Sequence, residues 1–333
     1  MTPLLTTDDM HTGGEPVRIV TSGWPSVEGT TILEKRAFAR ANHDHLRKIL
    51  MYEPRGHYDM YGALLVEPSL PGADLAVLFM HNEGWSTMCG HATIALGRYA
   101  VEKGLVGVTE PVTHIGLECP CGLVRVRVEV ANGKPGQVSF ESVPAFASVL
   151  DLAVEVPGHG RVTCDVAYGG AFYAIADAAQ FGLAFGNSRV RDFVDAATAL
   201  SDAVRTAHSL THPESADLAF LYGSILTDGG DGKANPTKNV CVFADAEVDR
   251  SPTGSGVTAR LAAMHAHGTA AVDERRIFES VTGAYFEGTI ASVIAYEGLQ
   301  AVTVGVTGQA FWSGQSRFIV EDVDPLRGGF LLR

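Results

Sequence analysis

The sequence predicts an α+β fold in which strands outnumber helices, and three observations predict it. Short apolar or alternating runs, rich in Val, Ile, Leu and Phe, recur along most of the chain. Helical spacing of apolar residues is confined to four segments. Two loop-and-helix segments half a chain apart also resemble one another. Many strands with few helices argue against a doubly wound parallel sheet, which would need a helix after nearly every strand.

Taken in order, Val17–Ser22 and Gly62–Val66 read as strands, and the apolar Leu75–Met80 as a buried one. Leu123–Val130 alternates, and Gln137–Val143, Arg161–Val166 and Phe172–Ala176 follow it. Leu218–Leu226, Val240–Ala244, Ala291–Tyr296 and Leu299–Val306 complete the set. Turns at Asn132-Gly133, Asp228-Gly229-Gly230 and Glu297-Gly298 separate them. Helices are predicted over Asp44–Met51, which ends before Pro54, and over the Ala-rich Val190–His208. His91–Lys103 stops at Gly104, and Gly256–His267 stops at Gly268.

Composition narrows the function classes. The 333 residues are 46% hydrophobic, enough for a substantial core. Net charge is −13, and no run of Lys or Arg occurs, so a nucleic-acid partner is not expected. No stretch approaches the ~18 apolar residues of a membrane span. Met1–Met10 carries Asp8 and Asp9 rather than the basic and apolar regions of a secretory signal. Five cysteines in a chain of this size suit a reducing, cytoplasmic setting better than a disulfide framework. Cys119-Pro120-Cys121 has no second pair at zinc-like spacing, so no metal is expected. The pairs His43-Asp44-His45 and His265-Ala266-His267 lack a third ligand, and Cys164 and Cys241 sit in strand-like, core runs.

The internal similarity carries the chemistry. Cys89-Gly90-His91-Ala92 and Thr253-Gly254-Ser255-Gly256 each set a small nucleophilic side chain before a Gly that opens a helix, 164 residues apart. A helix N-terminus offers unpaired N–H groups and partial positive charge, which bind carboxylates and favour a thiolate. Two such termini would clamp a carboxylate and leave an α-carbon beside Cys89 and Thr253. The carbanion formed there needs preorganised donors, and a thiolate supplies the base. No nucleotide-binding glycine fingerprint or phosphate-handling lysine is evident, so no organic cofactor is expected. Read alone, Cys89 fits a small buried hydrophobe, Thr253-Gly254-Ser255-Gly256 a capping loop, and Asp249-Arg250 a surface ion pair.

These residues resemble the signature loops of the proline racemase family: Met88-Cys89-Gly90-His91 and Asp249-Arg250-Ser251-Pro252-Thr253-Gly254-Ser255-Gly256. Asp9–Pro16, Pro54–Gly62 and Tyr168-Gly169-Gly170 agree as well. The resemblance implies a diaminopimelate-epimerase-like fold, with two pseudo-symmetric lobes and an active site between them. Each lobe is a barrel-like sheet around a central helix, here His91–Lys103 and Gly256–His267. The expected lobes are residues 1–116 plus 297–333, carrying the Cys89 loop, and 117–296, carrying the Thr253 loop.

Racemases and 4-hydroxyproline epimerases of the family carry cysteine at both loops, and this chain has Thr253 at the second. The Cys/Thr pairing resembles the branch that dehydrates trans-3-hydroxy-L-proline to Δ1-pyrroline-2-carboxylate, a reaction that one base can start. The resemblance implies Cys89 as base, with Thr253 in a less defined role beside the substrate. Backbone amides of Gly90, His91, Gly254 and Ser255 would hold the carboxylate, and Asp249 the ring nitrogen. Tyr61 and Phe243 would wall the ring, the Tyr61 hydroxyl reaching a substrate hydroxyl. A homodimer is compatible with the family, and the residues themselves do not decide it. The alternatives are a 4-hydroxyproline 2-epimerase or proline racemase, and a non-catalytic protein that binds a small amino acid.

Overall fold

The computed structural model describes residues 4–332. In chain order the strands and α-helices begin with β1 Leu5–Thr12, β2 Glu15–Ser22, α1 Ile32–Asn42, α2 Asp44–Met51, β3 Tyr61–Val66 and β4 Leu75–His81. They continue with β5 Trp85–Ser86, α3 Gly90–Glu102, β6 Val112–Cys119, β7 Gly122–Ala131 and β8 Lys134–Glu141. Next come β9 Phe146–Val156, β10 Gly160–Tyr168, β11 Phe172–Asp177, α4 Val190–Ala207, β12 Leu221–Thr227, β13 Thr237–Phe243 and β14 Glu247–Asp249. The last are α5 Gly254–Ala266, β15 Arg275–Glu279, β16 Tyr285–Tyr296, β17 Leu299–Gly308 and β18 Ala310–Phe318. The α+β class expected from the strand count is the one found.

Two units divide the chain: residues 1–138 with 309–333, and residues 139–308. In the first, β18 pairs antiparallel with β1 and β1 with β2. The order runs on through β3, parallel to β2, then β4, antiparallel to β3. β6 lies parallel to β4, and β7 antiparallel to β6. In the second unit the order is β9, β10, β11, β12, β13, β15, β16, β17. There the parallel pairs are β11/β12 and β13/β15.

The same pairing scheme is therefore written twice. Parallel neighbours cannot be joined by a tight turn and need a crossover, usually helical. α1 and α2 supply it between β2 and β3, and α4 between β11 and β12. α3 supplies it between β4 and β6, and α5 between β13 and β15.

α3 and α5 follow the two loops that the sequence marks. From Gly90 to Val101 every residue of α3 except Arg98 is buried, and α5 is buried from Gly254 to Ala263. A helix apolar on all sides belongs inside its sheet. α3 packs on β1, β2, β6, β7 and β18, and α5 on β9, β10, β11, β16 and β17. α1, α2 and α4 are amphipathic covers. Ile32, Ala39, Leu46 and Leu50 pack with Leu64 and Leu78 of the first unit. Phe193, Ala197, Leu200 and Val204 of α4 are buried over β12.

α1 carries no clear apolar spacing, because Glu34, Lys35, Arg36 and Arg40 interrupt it, although Lys35 is itself buried, with Nζ donating to the Glu67 carbonyl at 2.6 Å. Its start carries a capping box: Glu34 N–H donates to Thr31 Oγ1 at 3.2 Å, and Thr31 N–H to Glu34 Oε2 at 3.1 Å. β1 was hidden in a similar way by Asp8 and Asp9. Asp8 is buried and held by Tyr99, Lys103 and Gln315, and Asp9 pairs with Arg18 at 3.2 Å.

Candidate active site

In the first unit the site is built around the start of α3. Cys89 is its N-cap, in extended backbone, and Sγ accepts from the Ala92 amide at 3.4 Å. The Cys89 carbonyl accepts from the Thr93 amide at 3.0 Å and the Thr93 hydroxyl at 2.7 Å. The sulfur thus sits at the positive end of a buried helix, where a thiolate is favoured.

His91 places Nδ1 3.1 Å from Cys89 Sγ, and Nε2 3.2 Å from the Pro16 carbonyl oxygen. A carbonyl only accepts, so the proton belongs on Nε2. Nδ1 then faces the sulfur as an acceptor for the thiol proton, or as a donor to the thiolate once that proton has moved.

A hairpin sets this geometry. Thr12 and Glu15 face each other across the Gly13-Gly14 turn, both glycines at positive φ (63° and 90°). Two-residue hairpin turns of this kind favour such residues. The turn leaves the Thr12 hydroxyl 2.9 Å from the His91 carbonyl, which it donates to, and the Pro16 carbonyl against the imidazole.

Tyr61 meets His91 edge-on, with ring centroids 4.8 Å apart, and stacks over His81 at 5.9 Å. Its hydroxyl is hydrogen-bonded to Ser86, so the contact expected with a substrate hydroxyl has a rival within the chain. The Pro54–Gly62 segment holds Tyr61 through its backbone. Arg18 donates to the carbonyls of Leu50 and Arg55 at 2.9 and 2.8 Å, and Asn82 to those of Met51 and His57 at 2.8 and 3.1 Å. Cys119 and Cys121 flank the tip of the β6–β7 hairpin. Burial, first, and then Cys121 and Cys89 push the Cys119 thiol well up, so it stays protonated.

In the second unit the start of α5 is the counterpart. Thr253 is its N-cap at φ 63°, ψ 91°, and its amide donates to Ser251 Oγ at 3.1 Å. A β-branched residue at positive φ is an outlier that the surroundings must enforce. Thr253 Oγ1 is buried with no partner at hydrogen-bond distance, although it lies close enough to Asp249 to weigh on that carboxyl's titration.

Asp249 is buried on β14, not in a surface ion pair. Burial pushes its pKa up to about 6, against the pull of Ser251, whose amide donates to Oδ1 at 2.7 Å. Gly254 and Ser255 open the helix, and Ser255 Oγ lies 2.7 Å from the Tyr173 hydroxyl. Tyr173 meets Tyr222 edge-on at 5.9 Å, and Tyr222 stacks on Phe243 at 5.3 Å. Gly169 lets this happen: a Cβ there would fall 2.2 Å from the Ser255 carbonyl oxygen.

The predicted residues therefore fall into two groups. Cys89, Gly90, His91 and Tyr61 are brought together in the first unit, and Asp249, Thr253, Gly254, Ser255 and Phe243 lie in the second. Ser86, Tyr173 and Tyr222 support them from positions that no sequence motif marks, and the Pro16 carbonyl from the end of the Asp9–Pro16 segment. Elsewhere, Cys164 and Cys241 are buried in strands. Among the described residues one cluster gathers atoms suited to a metal: Asp151, Asp165 and His267. His267 Nε2 already lies 2.9 Å from Asp165 Oδ2, an ordinary ion-pair contact. No helix among the described residues is long and apolar enough to cross a membrane.

Residues 8–331 match the sequence model of the family described as "Proline racemase". A trans-L-3-hydroxyproline dehydratase of Xenopus tropicalis is 54% identical over 334 residues, covering 99% of this chain and 96% of the relative. A trans-3-hydroxy-L-proline dehydratase of Homo sapiens is 53% identical, covering 100% and 96%. Among solved structures, a hydroxyproline epimerase from Agrobacterium vitis with bound trans-4-OH-L-proline matches with a TM-score of 0.91. It is 27% identical, and the match covers 98% of this chain and 94% of that one.

Proposed function

The chain belongs to the proline racemase family, and on that premise we propose that it dehydrates trans-3-hydroxy-L-proline to Δ1-pyrroline-2-carboxylate, with Cys89 as the base. It is a hydro-lyase whose full-length relatives at 53–54% identity carry that activity in their names. One observation carries the choice within the family: a single thiol stands at the two signature loops, Cys89 at the start of α3 and Thr253 at the start of α5. Inversion at the α-carbon needs a base on one face and an acid on the other. A threonine hydroxyl is far too weak an acid to serve opposite a thiolate. Elimination needs only one face.

Cys89 takes the α-proton as a thiolate held at the N-terminus of α3. The amides of Gly90 and His91 at the start of α3 suit the substrate carboxylate, where charge grows as the proton leaves, and those of Gly254 and Ser255 at the start of α5 have the same character. Asp249 accepts from the ring ammonium. Tyr61 and Phe243 bound the ring. Loss of the 3-hydroxyl gives an enamine, which tautomerises to the cyclic imine. The chemistry calls on no group outside the chain, and a cytoplasmic, homodimeric protein fits it.

The test is one assay of the purified protein on trans-3-hydroxy-L-proline, trans-4-hydroxy-L-proline and L-proline in deuterated water. Imine formation and optical rotation are followed together. Dehydration of the first, with little inversion of the others, is expected. Inversion at a rate rivalling dehydration would establish an epimerase or racemase. Binding without turnover of any of the three would establish a binding protein.

A further inference from the structure

We propose that His91 is the acid that protonates the departing 3-hydroxyl, so that Cys89 and His91 work as one proton-cycling pair. The assignment rests on the dehydratase reading above. It starts from a requirement of the substrate. Hydroxide is a poor leaving group, and a thiolate that has just accepted the α-proton solves only half of the reaction. In trans-3-hydroxy-L-proline the hydroxyl and the α-hydrogen are both opposite the carboxylate, so they lie on one face of the ring, on adjacent carbons. The base and the acid must therefore approach from the same side, within one hydrogen bond of each other.

The first unit holds such a pair. His91 Nδ1 is 3.1 Å from Cys89 Sγ, and both side chains are buried. The ring cannot turn freely. Nε2 lies 3.2 Å from the Pro16 carbonyl, the Thr12 hydroxyl bonds the His91 carbonyl, and Tyr61 closes one side. With Nε2–H pointing at Pro16, the proton exchanged with the thiol sits on Nδ1, on the side that faces the sulfur. Cys119 feels the charge of Cys89 and, chiefly through burial, is kept protonated, so it does not compete as a base. Titratable side chains near the pair include Tyr61, His81 behind it, and the buried Glu15 next to Pro16.

The cycle balances. The resting pair is thiolate and imidazolium. The Sγ lone pair forms an S–H bond with the α-hydrogen, and the C2–H electrons become the C2–C3 π bond. The C3–O bond breaks toward oxygen, which takes the proton from Nδ1 and leaves as water. Cys89 is then a thiol and His91 a neutral imidazole. The thiol proton passes across the 3.1 Å contact to Nδ1 and restores the starting state. No proton is gained or lost overall.

A leaving group that needs no proton separates this role from simple support of the thiolate. Dehydration of trans-3-hydroxy-L-proline and fluoride release from trans-3-fluoro-L-proline are measured for the wild type, His91→Gln and His91→Asn, with thermal unfolding as a folding check. Losing the imidazole weakens the thiolate for both substrates, but the hydroxyl substrate should lose about 10²–10⁴-fold more, the range of a positioned acid. Equal losses on both, or none, would overturn the role of His91. The wild type alone gives a second test that needs no variant to fold. Its kcat on the hydroxyl substrate should fall on the alkaline side, where the imidazolium deprotonates, and its kcat on the fluoride should not. Matching alkaline limbs would overturn the assignment. A wild type that releases fluoride but never dehydrates the hydroxyl substrate would overturn the dehydratase reading itself.

Discussion

Thr253 and Asp249 show at the scale of single residues where function and stability pull apart. Thr253 holds φ 63° with its hydroxyl buried beside Asp249, no partner lying at ordinary hydrogen-bond distance. Each feature costs stability, on the order of 1–3 kcal/mol for backbone strain of this kind. Glycine takes positive φ readily and brings no hydroxyl to bury. Thr253→Gly should therefore raise the unfolding midpoint while lowering kcat/KM, and chemical denaturation with parallel kinetics would check both.

Asp249 carries its own pH signature. Its folded pKa, about 6, stands above the unfolded 3.8, so the empty protein binds a proton there on folding. That stabilisation is complete below pH ~4 and is lost as pH rises through about 6. Substrate binding has the opposite sign, because only the carboxylate can receive an ammonium. kcat/KM should fall about tenfold per pH unit below about 6, and Asp249→Asn should lower it throughout and flatten that acid limb. An unchanged acid limb in the variant would remove Asp249 from the binding step. Both residues were legible in the sequence as parts of a motif. Their strain and burial were not, because φ and exposure depend on strands that pair far along the chain.

The helix starts set the geometry at the scale of elements. α3 and α5 each begin at the small residue of a loop the sequence already marked, within two residues of the expected first turn. What the sequence did not carry is the support around them. The Pro16 carbonyl reaches His91 across 75 positions, and Tyr173 reaches Ser255 across 82. Contacts of that separation leave no periodic trace.

Tyr168-Gly169-Gly170 is an instance in which the motif and the packing meet. A methyl group on Gly169 would strike the Ser255 carbonyl and, at 2.6 Å, the Ala259 amide nitrogen, both backbone atoms that cannot swing aside. Gly169→Ala should cost about 1–3 kcal/mol, as overpacking does. It should also reduce activity beyond what lost folding explains, because the first turn of α5 must move. A Tm drop with full specific activity would mean that this turn does not need its exact placement.

For the whole molecule, the diaminopimelate-epimerase-like fold implied by the two loops is the one shared with the hydroxyproline epimerase structure. The short internal similarity proves to be the visible part of a pairing order used twice, with β5 and β14 as matching short strands before the two helices. The rest of that repeat was invisible because sheet pairing constrains which faces are apolar, not which apolar residue is used. The two copies have diverged where chemistry is concentrated. One keeps a thiol beside an imidazole, and the other a strained threonine beside a buried carboxyl.

The most direct measurement is the dehydration rate of trans-3-hydroxy-L-proline with Cys89→Ser, in a variant shown by circular dichroism and thermal unfolding to be folded. A serine keeps the cap and the size of the side chain but has no accessible anion near neutral pH. A rate 10²–10⁴-fold below wild type is expected. A folded Cys89→Ser enzyme that dehydrates at the wild-type rate would contradict a mechanism in which this thiolate takes the α-proton.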